Sequence, residues 1–128
     1  MAYKMIINLT QHAASVEQLA AGVFDLSLGD RALVAGWLTF DDCPEPGDIG
    51  WRAECIADVA DLSDAPAPPH AAMIGGAPWL MGPLASALRS KGIAPVFAFS
   101  ARESVDVALS DGCIRKTAVF RHRGWVDA

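Results

Sequence analysis

Residues 71–99, AAMIGGAPWLMGPLASALRSKGIAPVFAF, contain the pattern that decides the fold. The segment begins and ends with short apolar runs, at 71–74 and 95–99, which are typical of buried strands. Pro78 suits the first turn of a helix between them. Four residues at helical spacing give that helix its apolar face: Leu80, Leu84, Ala87 and Leu88. A strand, a helix and a strand in this order predict a right-handed parallel crossover.

One residue opposes this pattern. Pro83 lies where the helix should be continuous, and proline has no N–H to donate and clashes with the preceding turn. Its position favours a helix that begins near Gly82 instead of Pro78.

The N-terminal part repeats the order strand, helix, strand. Residues 4–9 (KMIINL) form an apolar run typical of a buried strand. Ser15 and Gln18 have the spacing of a capping box, which predicts a short helix to about Ala21. Residues 23–26 (VFDL) predict a second strand.

Two helices and a proline-rich connector separate these units. Asp30 is expected to cap the first helix, and Asp48 the second, on which Arg52 should face water. Residues 43–47 (CPEPG) must interrupt the helices. Residues 63–70 (SDAPAPPH) are too short to separate two domains.

The C-terminal residues change to alternating patterning. Residues 104–109 (SVDVAL) and 113–120 (CIRKTAVF) alternate on either side of 110–112 (SDG), which is the signature of a β-hairpin. The sequence therefore predicts a single α/β domain over residues 1–128. Its Rossmann-like, mostly parallel sheet is flanked by helices and extended by a C-terminal antiparallel β-hairpin.

Charge and hydropathy narrow the classes of partner. The chain is 52% hydrophobic with a net charge of −5, and no stretch resembles a signal peptide or a membrane span. We therefore expect a cytoplasmic protein without a membrane partner. Residues 1–88 carry 3 basic and 11 acidic side chains, whereas residues 89–128 carry 7 and 4. This distribution favours a small anionic ligand over long nucleic acid, although chance segregation of solvated charges explains it equally well.

The cysteines give no sign of a metal or a disulfide. Cys43, Cys55 and Cys113 are odd in number, widely spaced and without a CxxC pair, which predicts three reduced and mostly buried thiols. We expect no metal and no cofactor.

A first candidate site follows the first strand. Asn8, Thr10, Gln11 and His12 place amides, a hydroxyl and an imidazole within five residues. Open α/β sheets bind ligands at the carboxyl ends of their strands, and histidine can exchange a proton near neutral pH. The alternative is that these groups satisfy the backbone of their own loop.

A second candidate site follows the strand at 71–74. Gly75 and Gly76 would let a ligand approach the backbone, and the helix N-terminus that follows favours a phosphate. Trp79 could stack on a base. The pattern is neither a P-loop nor GxGxxG, so neither ATP nor NAD is predicted. The alternatives are a tight turn for the glycines and core packing for Trp79.

A third candidate site follows residues 95–99. Ser100, Arg102 and Glu103 would form a strand-end loop in which the guanidinium holds a phosphate. Arg121, His122 and Arg123 come after the last predicted strand and could stabilise phosphate charge. The alternatives are a surface Arg–Glu pair and a solvated charge run.

Residues 8–12 followed by 15–18 (SVEQ) give the chain a family resemblance. They resemble the first strand and loop of small CARF-like proteins of type III CRISPR systems and their viral counterparts. Residues 74–76 and 99–103 fall where such a family builds its pocket, whereas the C-terminal hairpin with 121–123 lies outside the resemblance. Those proteins bind cyclic oligoadenylate, and some of them, the ring nucleases, cleave it.

The resemblance implies a CARF-like fold and a metal-independent ring nuclease acting on cyclic oligoadenylate. A symmetric cyclic ligand favours a homodimer with one half-site in each subunit. The expected catalytic residues are His12, Arg102 and His122. The expected ligand-binding residues are Asn8, Thr10, Gln11, Gly75, Gly76, Trp79, Ser100, Glu103 and Arg121. The alternatives are a binder or sponge without catalysis, a phage or mobile-element interaction protein, and an enzyme acting on another phosphorylated small molecule.

Overall fold

The computed structural model of the chain describes residues 5–63 and 69–128. Helices flank the sheet, as the sequence predicts, and the sheet has five strands because the separate strands predicted at 95–99 and 104–109 form one strand. The elements are β1 (Ile6–Asn8), α1 (Val16–Ala20), β2 (Val23–Asp25), α2 (Leu28–Leu38), α3 (Pro46–Asp61), β3 (Ala71–Met73), α4 (Pro78–Ser90), β4 (Ala94–Ala108) and β5 (Ile114–Asp127). Among the described residues, no helix is long and apolar enough to cross a membrane.

The sheet is mostly parallel. Its strand order is β2-β1-β3-β4-β5, with β1 to β4 parallel and β5 antiparallel to β4. The chain leaves β1 toward one edge of the sheet and leaves β3 toward the other. The two departing loops therefore separate between β1 and β3, where open α/β sheets form a crevice.

Apolar side chains on both faces of the short strands hold the sheet between two clusters. Ile7 and Leu9 point into the larger cluster, which contains the buried residues of α2, α3 and α4. Ile6, Met73 and Val96 point into a smaller cluster on the other face. Alternate residues of a strand point to opposite faces, so a continuous apolar run buries both.

Three of the four predicted helix starts were wrong. Ser15 and Gln18 do form the capping box of α1. However, α2 begins earlier than predicted, because the hydroxyl of Ser27 accepts the N–H of Asp30 at 3.4 Å. Helix α3 begins at Pro46, which replaces an N–H that would have had no helical partner, so Asp48 lies within its first turn.

Helix α4 begins at Pro78 and continues through Pro83, so the expected start near Gly82 was wrong. Pro83 is exposed, and the carbonyl that loses its partner belongs to Trp79 in the first turn. Leu80, Leu84 and Leu88 are fully buried, which offsets the missing hydrogen bond.

The largest departure from the sequence prediction is at the C-terminus. Strand β4 continues without a loop through residues 100–104, and β5 includes residues 121–123. Only Ala94–Val96 of β4 pair with β3, so beyond Phe99 the ribbon pairs with itself alone. We call residues 100–123 the arm. Each of its strands extends about 30 Å at the usual rise per residue.

Candidate functional site

Two of the three predicted strand-end turns meet. The methyl group of Thr10, after β1, lies 3.6 Å from the position that a Cβ on Gly75 would occupy. Gly76 has a φ of +147°, which side-chain-bearing residues rarely adopt. A Cβ on Gly76 would lie 3.6 Å from the side chain of Leu38. Both distances are ordinary van der Waals contacts, so it is the backbone conformation at Gly76 that requires a glycine, which fits the interpretation as a tight turn.

Asn8 organises the loop that follows β1. It is 4% exposed, and its amide donates to the carbonyl of His12 at 2.7 Å and to Asp25 Oδ1 at 2.8 Å. Its oxygen accepts from the N–H and the hydroxyl of Thr10, at 2.9 and 2.8 Å. All four hydrogen-bonding positions of the amide are used. Asn8 and Thr10 therefore satisfy their own loop, as the alternative interpretation held.

The carboxylate of Asp25 completes this network, and the sequence analysis missed it. Asp25 Oδ1 also accepts the N–H of Ala14, at 3.0 Å, which ties the loop to the end of β2. The sequence did contain a signal for this role, since Asp25 is an acidic residue at the carboxyl end of β2, a strand parallel to β1.

Gln11 and His12 differ from Asn8 because both are exposed. The amide of Gln11 donates to the hydroxyl of Thr39 at 3.1 Å, which links the loop to the end of α2. Within residues 5–63 and 69–128, the His12 imidazole makes no hydrogen bond or ion pair. The loop after β1 places this imidazole at the carboxyl edge of the sheet. Both of its ring nitrogens are therefore open to a ligand there.

The third predicted turn does not exist, and its residues lie in the arm. Arg102 and Glu103 are neighbours on an extended strand, so their side chains point to opposite faces and do not hold one phosphate together. Ser100 lies opposite His122, and Arg102 lies opposite Phe120. No hydrogen bond or ion pair between described residues joins Arg102 to His12 or to the β3 turn.

The charges at the base of the arm neutralise one another. Glu103 lies 3.5 Å from both Arg121 and Arg123, and Arg121 lies 3.8 Å from Glu17 of α1. All four side chains are 41–51% exposed. Such pairs contribute little stability, and they leave these guanidiniums less available to a phosphate. Glu103 therefore forms a surface Arg–Glu pair, as the alternative interpretation held, but its partners are Arg121 and Arg123 and not Arg102.

His122 lies on β5 beside Trp125. The two ring centroids are 4.6 Å apart, and the buried Nδ1 has no hydrogen-bond partner among the described residues. The three residues predicted to be catalytic are therefore not joined by any hydrogen bond, ion pair or ring contact in the described part of the chain.

The structure shows a groove that the sequence analysis did not predict. It has a volume of about 540 Å³ and opens beside the β3 turn, between the α2–α3 connection and the start of α4. Trp79 and Phe40 form its aromatic walls, with ring centroids 5.5 Å apart in an edge-to-face arrangement. We call it the Trp79 groove, and its lining residues are Phe40, Asp42, Cys43, Pro44, Ile49 and Trp79.

Trp79 is the predicted site residue that lies in this groove. It is 50% exposed, so the core-packing alternative was wrong. An aromatic side chain that could be buried, but is held half in solvent beside a concave surface, is available to stack on a ligand.

Arg52 fixes the wall that carries Phe40, contrary to the expectation that it faces water. Its guanidinium lies 4.2 Å from the centre of the Phe40 ring and 3.1 Å from the carboxylate of Asp48. It donates to the carbonyls of Trp37 and Thr39, at 3.1 and 2.6 Å, which otherwise lack partners at the end of α2.

The surroundings of the groove are acidic. Asp42 lines it, and an adjoining depression is lined by Asp41, Glu45 and Asp48, with Arg52 as the cation. In the described residues, no group of three or more His, Cys, Asp or Glu side chains is arranged to hold a metal ion. Cys43 and Cys113 are exposed, so the expectation that most of the thiols are buried was wrong.

Comparison with known protein families gives a match over almost the whole chain. The model of the uncharacterized protein MJ1673 family matches residues 4–126. The chain belongs to this family. No curated protein and no solved structure matches it. The family match covers β1 to the end region of β5, so the sheet edge, the Trp79 groove and the arm all lie within the MJ1673 family region.

Proposed function

We propose that this protein binds a small organic ligand with a flat ring, neutral or positively charged, in the Trp79 groove. The observation that carries the proposal is the half-exposed Trp79, held edge-on to Phe40 in a concavity of about 540 Å³ at the carboxyl edge of the sheet. Small-molecule sites are typically concavities of this size, mostly apolar, with a few polar groups that orient the ligand.

The preference for a neutral or cationic ligand comes from the carboxylates. Asp42 lies in the groove, and Asp41 and Glu45 lie beside it, whereas Arg52 is already paired with Asp48. Two unit charges 8 Å apart in water interact by about 0.5 kcal/mol, so several carboxylates disfavour each phosphate by roughly 1–2 kcal/mol before salt screening. A cation gains by the same amount, and the face of Trp79 attracts it further.

This charge pattern makes cyclic oligoadenylate an unfavourable ligand for the Trp79 groove. A nucleobase would suit Trp79, but the four phosphates of a cyclic tetra-adenylate would meet carboxylates at this groove. Cleavage at His12 therefore stays a prediction from the sequence, and it is tested separately below.

The experiment measures binding to three probes that share a flat ring and differ in charge. These are phenyltrimethylammonium, adenosine and cyclic tetra-adenylate, titrated by tryptophan fluorescence and thermal shift. We expect the cation to bind most tightly and the polyanion most weakly. Trp79→Ala should weaken binding at least tenfold. The matched control Trp51→Ala removes another exposed tryptophan that pairs edge-on with Trp37, and it should leave binding unchanged.

Two further measurements test where the ligand binds and whether the protein is the ring nuclease that the sequence predicts. Asp42→Asn should weaken binding of the cation and not of adenosine. Saturable binding of none of the three probes, or equal losses in Trp79→Ala and Trp51→Ala, would overturn the proposal. Cyclic tetra-adenylate incubated in EDTA should remain intact by chromatography; products that disappear in His12→Ala would instead support a ring nuclease.

A further inference from the structure

We propose that the arm, residues 100–123, binds along helix α3 of a second copy of this chain, so that two copies exchange arms and form a two-fold dimer. The inference is independent of the Trp79 groove. It rests on the exposure of the arm, on its charge and on a matching stripe of side chains on α3.

The arm is a two-stranded ribbon without a covering layer. Beyond Phe99, β4 pairs only with β5, and isolated two-stranded ribbons are marginally stable in water. Both of its faces carry apolar side chains. Val105, Val107 and Val119 share one face, and Ile114 and Phe120, which are 69% and 71% exposed, share the other. This much exposed apolar strand surface indicates an interface.

Charge selects the partner surface. The arm carries five basic and three acidic residues, a net charge of +2, whereas the rest of the chain carries five basic and twelve acidic residues, a net charge of −7. Two arms would repel each other, and an arm would be attracted to the body of another copy. The same acidic body repels a nucleic acid duplex, which disfavours the ribbon as a DNA-binding element.

Helix α3 presents the surface that this arm fits. Trp51 and Leu62 are 59% and 79% exposed. The acidic residues of the same face lie between them at helical spacing: Glu54, Asp58 and Asp61. Asp58 is paired with Lys91 at 2.8 Å, and Glu54 and Asp61 remain exposed on either side of it. Helix α3 therefore presents apolar side chains among carboxylates, and the arm presents apolar side chains among basic groups, so the two surfaces complement each other.

Reciprocal exchange gives a closed assembly. If the arm of one copy lies on α3 of its partner, two-fold symmetry places the partner's arm on the first copy. Alternate side chains of the arm face the partner, and α3 of the same copy adds further residues to the interface, which therefore approaches the roughly 20–30 residues a side of a stable complex.

The experiment is sedimentation equilibrium of the full chain at 0.1 and 0.5 M NaCl. We expect a mass of twice 13.5 kDa at low salt and a dissociation constant at least tenfold higher at high salt. Arg115→Glu in the arm and Glu54→Lys on α3 should each weaken the dimer at least tenfold. Arg31→Glu and Asp41→Lys make the same charge changes elsewhere on the body, and they should not.

A variant in which Asn-Gly replaces residues 102–120 should be monomeric and folded, because the pairing of β4 with β3 is retained. A wild-type chain that is monomeric at 100 µM would overturn the proposal. So would a dimer that persists without the arm or is unaffected by both Arg115→Glu and Glu54→Lys. Binding of a random DNA duplex by an arm-dependent monomer would assign the ribbon to nucleic acid instead.

Discussion

Replacing Asn8 with aspartate tests whether this residue is structural. The side chain keeps its shape, but Asn8→Asp loses both N–H donors, one to the carbonyl of His12 and one to the carboxylate of Asp25. A hydrogen bond to a charged group contributes about 1.5–3 kcal/mol and a neutral one about 1 kcal/mol. His12 is an exposed residue, so water can replace part of the lost hydrogen bond at its carbonyl. Including repulsion between two carboxylates in contact, we expect a loss of about 3–5 kcal/mol at pH 7.

The pH dependence of this variant gives the sharper test. The neighbouring carboxylate raises the pKa of the introduced carboxyl group in the folded state, so its protonated form is the one compatible with folding. The deficit relative to wild type should therefore be small at pH 4, where that group can donate to Asp25, and should grow as pH rises through its folded pKa. Urea unfolding followed by tryptophan fluorescence at both pH values measures it.

Gln11→Ala is the matched control, since it removes an amide in the same loop that makes one exposed hydrogen bond, to Thr39. Its effect should be below about 1 kcal/mol and independent of pH. If Asn8→Asp is as stable as wild type at pH 7, or if its deficit does not shrink at pH 4, the hydrogen-bond network around Asn8 does not hold the loop as described.

Two further substitutions test single features of the fold. Pro83→Ala should raise the free energy of unfolding by about 1–2 kcal/mol, because it restores a donor to the Trp79 carbonyl inside α4; a loss of stability in urea would show that the proline is needed there. His122→Phe should leave stability unchanged or raise it by up to about 1–2 kcal/mol, because it removes a buried nitrogen without a partner; a loss above 1 kcal/mol would indicate that this ring makes a polar contact in solution.

The candidate site could be predicted only in part, because the contacts that form it join residues that are far apart in the sequence. Residues 8–12 were recognisable because their polar side chains follow an apolar strand. However, whether Asn8 faces a ligand or its own loop depends on Asp25, which lies 17 residues away. The Trp79 groove needs Phe40, from the α2–α3 connection, to meet Trp79 at the start of α4. Arg52 could not be assigned from helical spacing, because its partners are the terminal carbonyls of another helix.

The sequence by itself determined the features that depend on a few neighbouring residues. The capping box at Ser15, the short apolar strands and the turn at Asp111 and Gly112 follow from local sterics, local hydrogen bonds and hydrophobic spacing. Only the tertiary structure decided whether residues 100–104 are loop or strand. Their mostly polar composition suits either state, and pairing with β5 across a long hairpin supplies the hydrogen bonds that select the strand.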